Sequence, residues 1–219
     1  MNANDPESVR QEYDRLAEDY ASNIYGELQH KPLDCELLTR FAAAVEARGE
    51  VCDMGCGPGH IARFLHDQGC KVFGLDLSPQ MIAKARQLNP GIPFREGNML
   101  ALDLEDASLA GITAFYAIVN IPAASLPTVF SEIYRVLQPD GLLLLPFHIG
   151  DEVVRPQELW GNRVGMEFYR LQPERIKLLL IGAGFVIDGI VERDPYPEIE
   201  FQSRRAYIFA HKPADRTLA

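Results

Sequence analysis

Apolar and aromatic side chains recur every three to four residues at Val9, Tyr13, Leu16, Ala17, Tyr20 and Ile24, which predicts one helical stripe from Asp5 to about Tyr25. A second helix, Leu33 to Glu46, ends near Gly49. There the period changes. Glu50 to Met54 reads as a short strand running into Gly55, Ile61 to Gln68 as helix, and Lys71 to Leu75 as strand. Pro79 to Leu88 is a helix with Ser78 as N-cap and proline in its first turn. Phe94 begins a third strand, Ile112 to Phe115 forms a fourth, and Leu126 to Leu137 is helical. Gly141 to Phe147 is a fifth strand, whose unbroken leucines suit burial on both faces. Strands alternating with helices imply a parallel sheet covered by helices on both sides.

The end of the chain departs from that rhythm. Pro173 to Ile181 is a helix stopped by Gly182 and Gly184, and Phe185 to Glu192 and Arg204 to His211 are strand-like runs with no helix between them. Consecutive strands without a crossover helix pair antiparallel, so the sheet should finish with a reversed strand. Residues 148–171 carry no regular pattern, and irregular loops of that length are usually functional. No repeat, low-complexity tract or linker divides the chain. Residues 1–219 therefore read as one α/β domain, with a helical cover over about 1–48 and an insertion over about 148–171.

The 219 residues carry a net charge of −10, with 47% hydrophobic and 24% charged side chains, which is ordinary for a folded domain. The acidic balance and the lack of a Lys/Arg block argue against a nucleic-acid partner and favour a small, cationic ligand. No apolar run reaches the roughly 18 residues of a membrane span, and the polar opening MNANDPESVRQEYDR has no basic segment followed by an apolar one. A cytoplasmic location is expected. Cys35, Cys52, Cys56 and Cys70 form no C-x-x-C pair and have no neighbouring His cluster, so neither a metal nor a disulfide framework is expected.

The richest chemistry lies in VCDMGCGPGH, residues 51–60, where a strand opens into Gly55, Gly57 and Gly59 just before a helix. Alternate glycines allow a sharp turn and close approach of a nucleotide-like ligand. Asp53 ends the strand beside them, where its charge would stabilise a cation. Asp76 ends the next strand about 20 residues on, placed to accept both hydroxyls of a ribose. A dinucleotide site is the competing reading, but its G-x-G-x-x-G spacing requires glycine where His60 stands. Asp53 would also repel a diphosphate by about 1–4 kcal/mol at contact distance.

These residues resemble the class I S-adenosylmethionine-dependent methyltransferases, whose first motif D-x-G-x-G-x-G matches Asp53 to Gly59 in full. The likeness extends over YDRLAEDYASN, GLDLSPQMIAKAR, REGNM and YRVLQPDGLLLL. It implies a Rossmann-like fold: a seven-stranded, mostly parallel sheet with the last strand antiparallel and helices on both faces. The implied cofactor is S-adenosylmethionine, released as S-adenosylhomocysteine, and the implied activity is in-line methyl transfer to an O, N or S atom of a small metabolite. Carried over by position, the resemblance has Asp53 and the backbone of Gly55, Cys56 and Gly57 hold the methionine portion. Asp76 takes the ribose, Leu77 and Met81 pack near the adenine, and Met99 offers a backbone N–H. Asn98 stands where relatives usually have an acid accepting from the adenine amino group, and an amide oxygen can accept the same bond. Phe115 or Tyr116 presents a carbonyl near the methionine ammonium, and Tyr20, ahead of Tyr13, closes over the cofactor.

On the acceptor side, His148 directly follows the fifth strand and is the candidate to line the substrate pocket or act as base, with Tyr116 and Asn120 from the loop after strand four. Asn120-Ile121-Pro122-Ala123 is faintly similar to the N-x-P-aromatic motif of base-modifying amino-methyltransferases, with Ala123 in place of the stacking aromatic. Trp160 is a candidate cap. Arg193, Tyr196, Glu200, Arg204 and Arg205 offer a substrate-carboxylate clamp, although solvent-facing salt bridging is the commoner fate of such charges. The expected assembly is a monomer or homodimer. The alternatives to a methyltransferase are a cofactor-binding protein without turnover that acts through a partner, and a nicotinamide-dependent oxidoreductase.

Overall fold

The computed structural model describes residues 4–214. Seven strands form one sheet: β1 Glu50–Met54, β2 Lys71–Asp76, β3 Phe94–Glu96, β4 Leu109–Thr113, β5 Leu137–His148, β6 Val186–Arg193 and β7 Arg205–His211. Their spatial order is β3-β2-β1-β4-β5-β7-β6. β7 runs antiparallel to both of its neighbours, while β1 to β5 are parallel. This is the expected sheet, reversed last strand included.

Six helices cover it: α1 Pro6–Ile24, α2 Pro32–Val45, α3 His60–Asp67, α4 Pro79–Leu88, α5 Leu126–Val136 and α6 Pro173–Gly182. Proline occupies the first turn of α1, α2, α4, α5 and α6, where its missing N–H leaves no helical bond unmade. Asp5 and Ser78 cap α1 and α4, accepting from the N–H groups of Ser8 at 3.1 Å and Met81 at 3.0 Å.

Side chains alternate across the pleat and build two cores. Met54, Leu75, Ile112, Leu145 and Phe147 pack with Phe130 and Ile133 of α5 and Leu180 of α6. Val51, Val72, Leu144 and Tyr207 point the other way, against Leu38 and Phe41 of α2, Leu65 of α3 and Ile82 of α4.

Three details differ from the sequence reading. β4 starts at Leu109 and stops at Thr113 rather than running to Phe115, because the chain leaves the ladder and turns through Tyr116 at φ 51°. A 3-10 turn, Glu27–His30, joins the first two helices. The 148–171 segment contains two small antiparallel ladders, Val153–Val154 with Phe168–Tyr169 and Glu158–Leu159 with Asn162–Arg163.

α1 lies across the carboxyl edge of the sheet and is tied on both sides. Asp14 accepts from Ser78 Oγ at 2.6 Å and from the Gln80 N–H at 3.2 Å. Asn162 Nδ2 donates to Asp19 Oδ2 at 2.7 Å, and Asn4 Nδ2 donates to the carbonyls of Asn120 and Glu167, both at 2.8 Å. No helix among the described residues is long and apolar enough to cross a membrane.

Candidate functional site

Strand order reverses between β1 and β4, and open α/β sheets bind ligands outside the carboxyl ends of the strands at such a point. A cavity of about 330 Å³ opens there beneath α1. A smaller hollow beside it shares Tyr20, Gly55, Gly57, Phe115 and Tyr116 with the main cavity and adds Asp53, Cys56, Glu27 and His60.

The glycine loop meets different demands at each position. Gly55 sits at φ 69°, and a Cβ there would fall 2.6 Å from the Ala117 Cβ. At Gly59, φ 83°, a Cβ would meet the Phe94 ring at 2.7 Å. Those two glycines let the loop pack on protein. Gly57, φ 50°, instead faces the cleft, where the nearest atom to an added Cβ belongs to Tyr20 at 3.5 Å. Cys56 is buried within the turn, and its thiol lies 3.6 Å from the Gly57 carbonyl.

Asp76 lines the cavity with each carboxylate oxygen held by one backbone donor. Gly57 N–H donates to Oδ2 at 2.8 Å and Ser78 N–H to Oδ1 at 2.9 Å. Each oxygen keeps lone pairs for a ligand's hydroxyls. Burial raises its pKa, opposed by those N–H groups. Leu77, Met81, Asn98, Met99 and Phe115 line the same cavity. Asn98 Oδ1 accepts from the Leu100 N–H at 2.9 Å, which fixes the amide while leaving the oxygen one further acceptor site.

Asp53 borders the smaller hollow. Its oxygens accept from the Ala62 N–H at 3.0 Å and the Thr113 hydroxyl at 3.2 Å, and burial pushes its pKa up to about 7. His60 Nε2 lies 3.2 Å from Glu27 Oε1, while its buried Nδ1 has no partner. Neither residue was singled out from the sequence as a ligand contact. His60 stands at the start of α3 directly after the glycines, which is a usable signal, whereas Glu27 lies in a turn with no motif around it.

Tyr20 spans both hollows and is packed edge-on by Tyr13 at 5.9 Å and Trp160 at 5.5 Å. Trp160 is 39% exposed and lines neither hollow, so it buttresses Tyr20 from outside rather than capping the pocket. Asn120 reaches the cavity wall, but its side chain is spent on structure: Oδ1 accepts from the Tyr13 hydroxyl at 2.7 Å and Nδ2 donates to the Glu167 carbonyl at 2.7 Å.

His148 stands at the end of β5. It borders neither hollow. Its ring stacks behind Tyr116 at 4.8 Å, and Nδ1 is hydrogen-bonded to Ser203 Oγ at 2.7 Å. Burial, with Arg205, Lys31 and Arg170 nearby, pushes its pKa down to about 3. Such an imidazole is neutral, weakly basic and screened from the cavity by a tyrosine ring. The late arginines divide between two environments. Arg204 is solvent-facing, but Arg193, Glu200 and Arg205 are buried together.

A family model described as a methyltransferase domain matches residues 51–141. The chain is 33% identical over 156 residues to the malonyl-acyl-carrier-protein O-methyltransferase of Enterobacter lignolyticus, a match covering 71% of this chain and 59% of that protein. The chain therefore spans less than two thirds of the length of that relative. Among solved structures, a methyltransferase from Methanosarcina mazei superposes with a TM-score of 0.67 at 20% identity, over 76% of this chain and 93% of that one. A (4+2)-cyclase superposes with a TM-score of 0.75 at 18% identity, over 95% and 97%. At such identities the likeness is one of fold.

Proposed function

The chain belongs to the class I S-adenosylmethionine-dependent methyltransferases, and on that premise we propose that it transfers the methyl group of S-adenosylmethionine to an O, N or S atom of a small metabolite. One observation carries the reading: Asp76, with both oxygens fixed by backbone N–H groups, shares a nucleoside-sized cavity with the bare edge of Gly57. When bound, the cofactor supplies an electrophilic methyl on a sulfonium. Asp76 takes the ribose hydroxyls, and Leu77, Met81, Asn98 and Met99 enclose the adenine. Asp53, the Gly55–Gly57 backbone and the Phe115–Tyr116 carbonyls hold the methionine end, and Tyr20 closes over it.

The chain's part in the chemistry is alignment and exclusion of water, through α1 and the 148–171 segment acting as a cover. No histidine among the described residues lines the main cavity. Burial raises the pKa values of the Tyr13, Tyr20 and Tyr116 hydroxyls, so they keep their protons. An acceptor with a lone pair of its own needs no base from these tyrosines.

Production of S-adenosylhomocysteine from labelled cofactor, over a panel of phenols, amines, carboxylates and thiols, tests the proposal. NADH binding more tightly than S-adenosylmethionine would overturn it. A second reading is cofactor binding without transfer, through the same cavity that Asp76 and Gly57 line. It predicts tight cofactor binding and no product with any acceptor.

The four unpaired cysteines support a reducing, cytoplasmic compartment, and the net charge of −10 supports a small acceptor over a nucleic acid. We take residues 1–219 as one catalytic domain, working as a monomer or homodimer; sedimentation would establish which.

A further inference from the structure

The connection between β6 and β7, residues 194–204, inverts the usual partition of side chains. Ile199 and Phe201 are 48% and 58% exposed, while the carboxylate between them, Glu200, is 3% exposed. Buried carboxylates persist only where cations and hydrogen bonds replace water. Glu200 is held by both terminal nitrogens of Arg193, by Arg205 Nη2 at 3.1 Å, by Lys31 Nζ at 3.4 Å and by the Tyr196 N–H at 2.8 Å.

This is a built receptor for one carboxylate, assembled from α2's entry, β6 and β7. Asp34 accepts from Arg193 at 3.1 Å and from the Tyr207 hydroxyl at 2.7 Å, and Glu27 pairs with Lys31 at 2.7 Å. With Glu200 withdrawn, three cations would face two acids, leaving one positive charge uncompensated. Arg205, 2% exposed, also keeps a buried Nε with no partner, a donor that Glu200 does not use.

Position gives the receptor a meaning. Arg205 pairs with His148 across the sheet, so the cluster sits at the carboxyl edge of β5. Lys31 Nζ lies 5.6 Å and Arg205 Cζ 5.8 Å from the centre of the Tyr116 ring, and Tyr116 borders both hollows of the proposed cofactor site. One aromatic ring separates an anion receptor from the place where a methyl group would be presented. The depressed pKa of His148, caused by burial and by Arg205, Lys31 and Arg170, is consistent with an electropositive locale.

We propose that Lys31, Arg193 and Arg205 form the subsite for a carboxylate on the methyl acceptor, and that Glu200 is its resting occupant, displaced with the 194–204 segment when the acceptor enters. The substrate class is then an organic acid, whose carboxylate is the anchor. The inference rests on the methyl-transfer reading for calling the ligand an acceptor, but its test reads binding alone.

Calorimetry in saturating S-adenosylhomocysteine would compare benzoate, benzamide and phenyl phosphate on the wild type, Glu200→Gln and the double variant Glu200→Gln/Arg205→Gln. Removing the internal competitor should tighten benzoate at least tenfold in Glu200→Gln, leave benzamide weak, and be undone by the added Arg205→Gln, with S-adenosylhomocysteine affinity equal in all three. Unchanged benzoate affinity in Glu200→Gln, equal binding of the amide, or preference for the phosphate ester would overturn the proposal. If the variants fold poorly, hydrogen exchange on the wild type decides: benzoate should speed exchange over 194–204, and no change would count against displacement. A carboxylate gain with no methyl transfer to any acceptor would sink the transferase reading and leave the subsite standing.

Discussion

Asp53 couples the cofactor site to pH in a way that can be worked through. Its carboxyl is buried, donated to by the Ala62 N–H and the Thr113 hydroxyl, and burial outweighs both to place its pKa at about 7. In the free protein the sign is destabilising: the unfolded chain loses this proton near the usual aspartate value of 3.8, so stability contributed here falls as pH rises from there to about 7. A ligand ammonium in the adjoining hollow favours the ionised form, so binding should expel the proton. For a ligand that binds only the carboxylate, the loss of affinity from pH 7.5 to pH 6 is about eightfold, roughly 1.2 kcal/mol.

Calorimetry with S-adenosylhomocysteine at both pH values, in buffers of different ionisation enthalpy, measures the affinity change and the proton release together. Asp53→Asn cannot ionise and should flatten this component, while contributions from Asp76 and from the ligand's own amine persist and cancel in the comparison. An equal pH slope in wild type and Asp53→Asn, or binding without proton release near neutrality, would refute the assignment of Asp53 to the methionine end.

Other expectations are simpler. Asp76→Ala should weaken S-adenosylhomocysteine by about 1–3 kcal/mol with an unchanged circular dichroism spectrum; unaltered affinity would reject the ribose role. Gly55→Ala places a Cβ 2.6 Å from that of Ala117 at a left-handed φ of 69°, and should destabilise the fold by about 1–3 kcal/mol, read as a lower melting temperature. Tyr20→Ala should speed release of bound S-adenosylhomocysteine and red-shift Trp160 fluorescence through loss of an edge contact of about 0.5–1.5 kcal/mol, and Tyr20→Phe should restore both.

Much of the site was legible along the chain because its parts are local. The turn from β1 into α3 holds Asp53, Gly55, Gly57 and Gly59 within seven residues, and Asp76 ends the next strand, so strand edge and helix start place them together whatever else the fold does. Tyr20 was legible in a weaker sense: its helical stripe predicted α1, but only the crossing of α1 over α4 put the ring above Gly57. His148 shows the opposite. Being one residue beyond the end of Phe147's pleat, it shares Leu144's side of the sheet, and Tyr116 turning at positive φ came between it and the cavity. No periodicity carries that information.

The charges divide in the same way. Arg204 and Arg205 are neighbours with identical side chains, yet at the entry to β7 one faces solvent and the other a site shared with Lys31, which is far away in sequence. What the sequence alone determined was the alternating α/β sheet with its reversed final strand, and the glycine loop with two carboxylates, since short-range periodicity and turn stereochemistry are written residue by residue. What only the tertiary structure decided was which ionisable groups are desolvated and by whom they are met. Desolvation and ion pairing depend on distances between remote segments, and those exist only after the chain has packed.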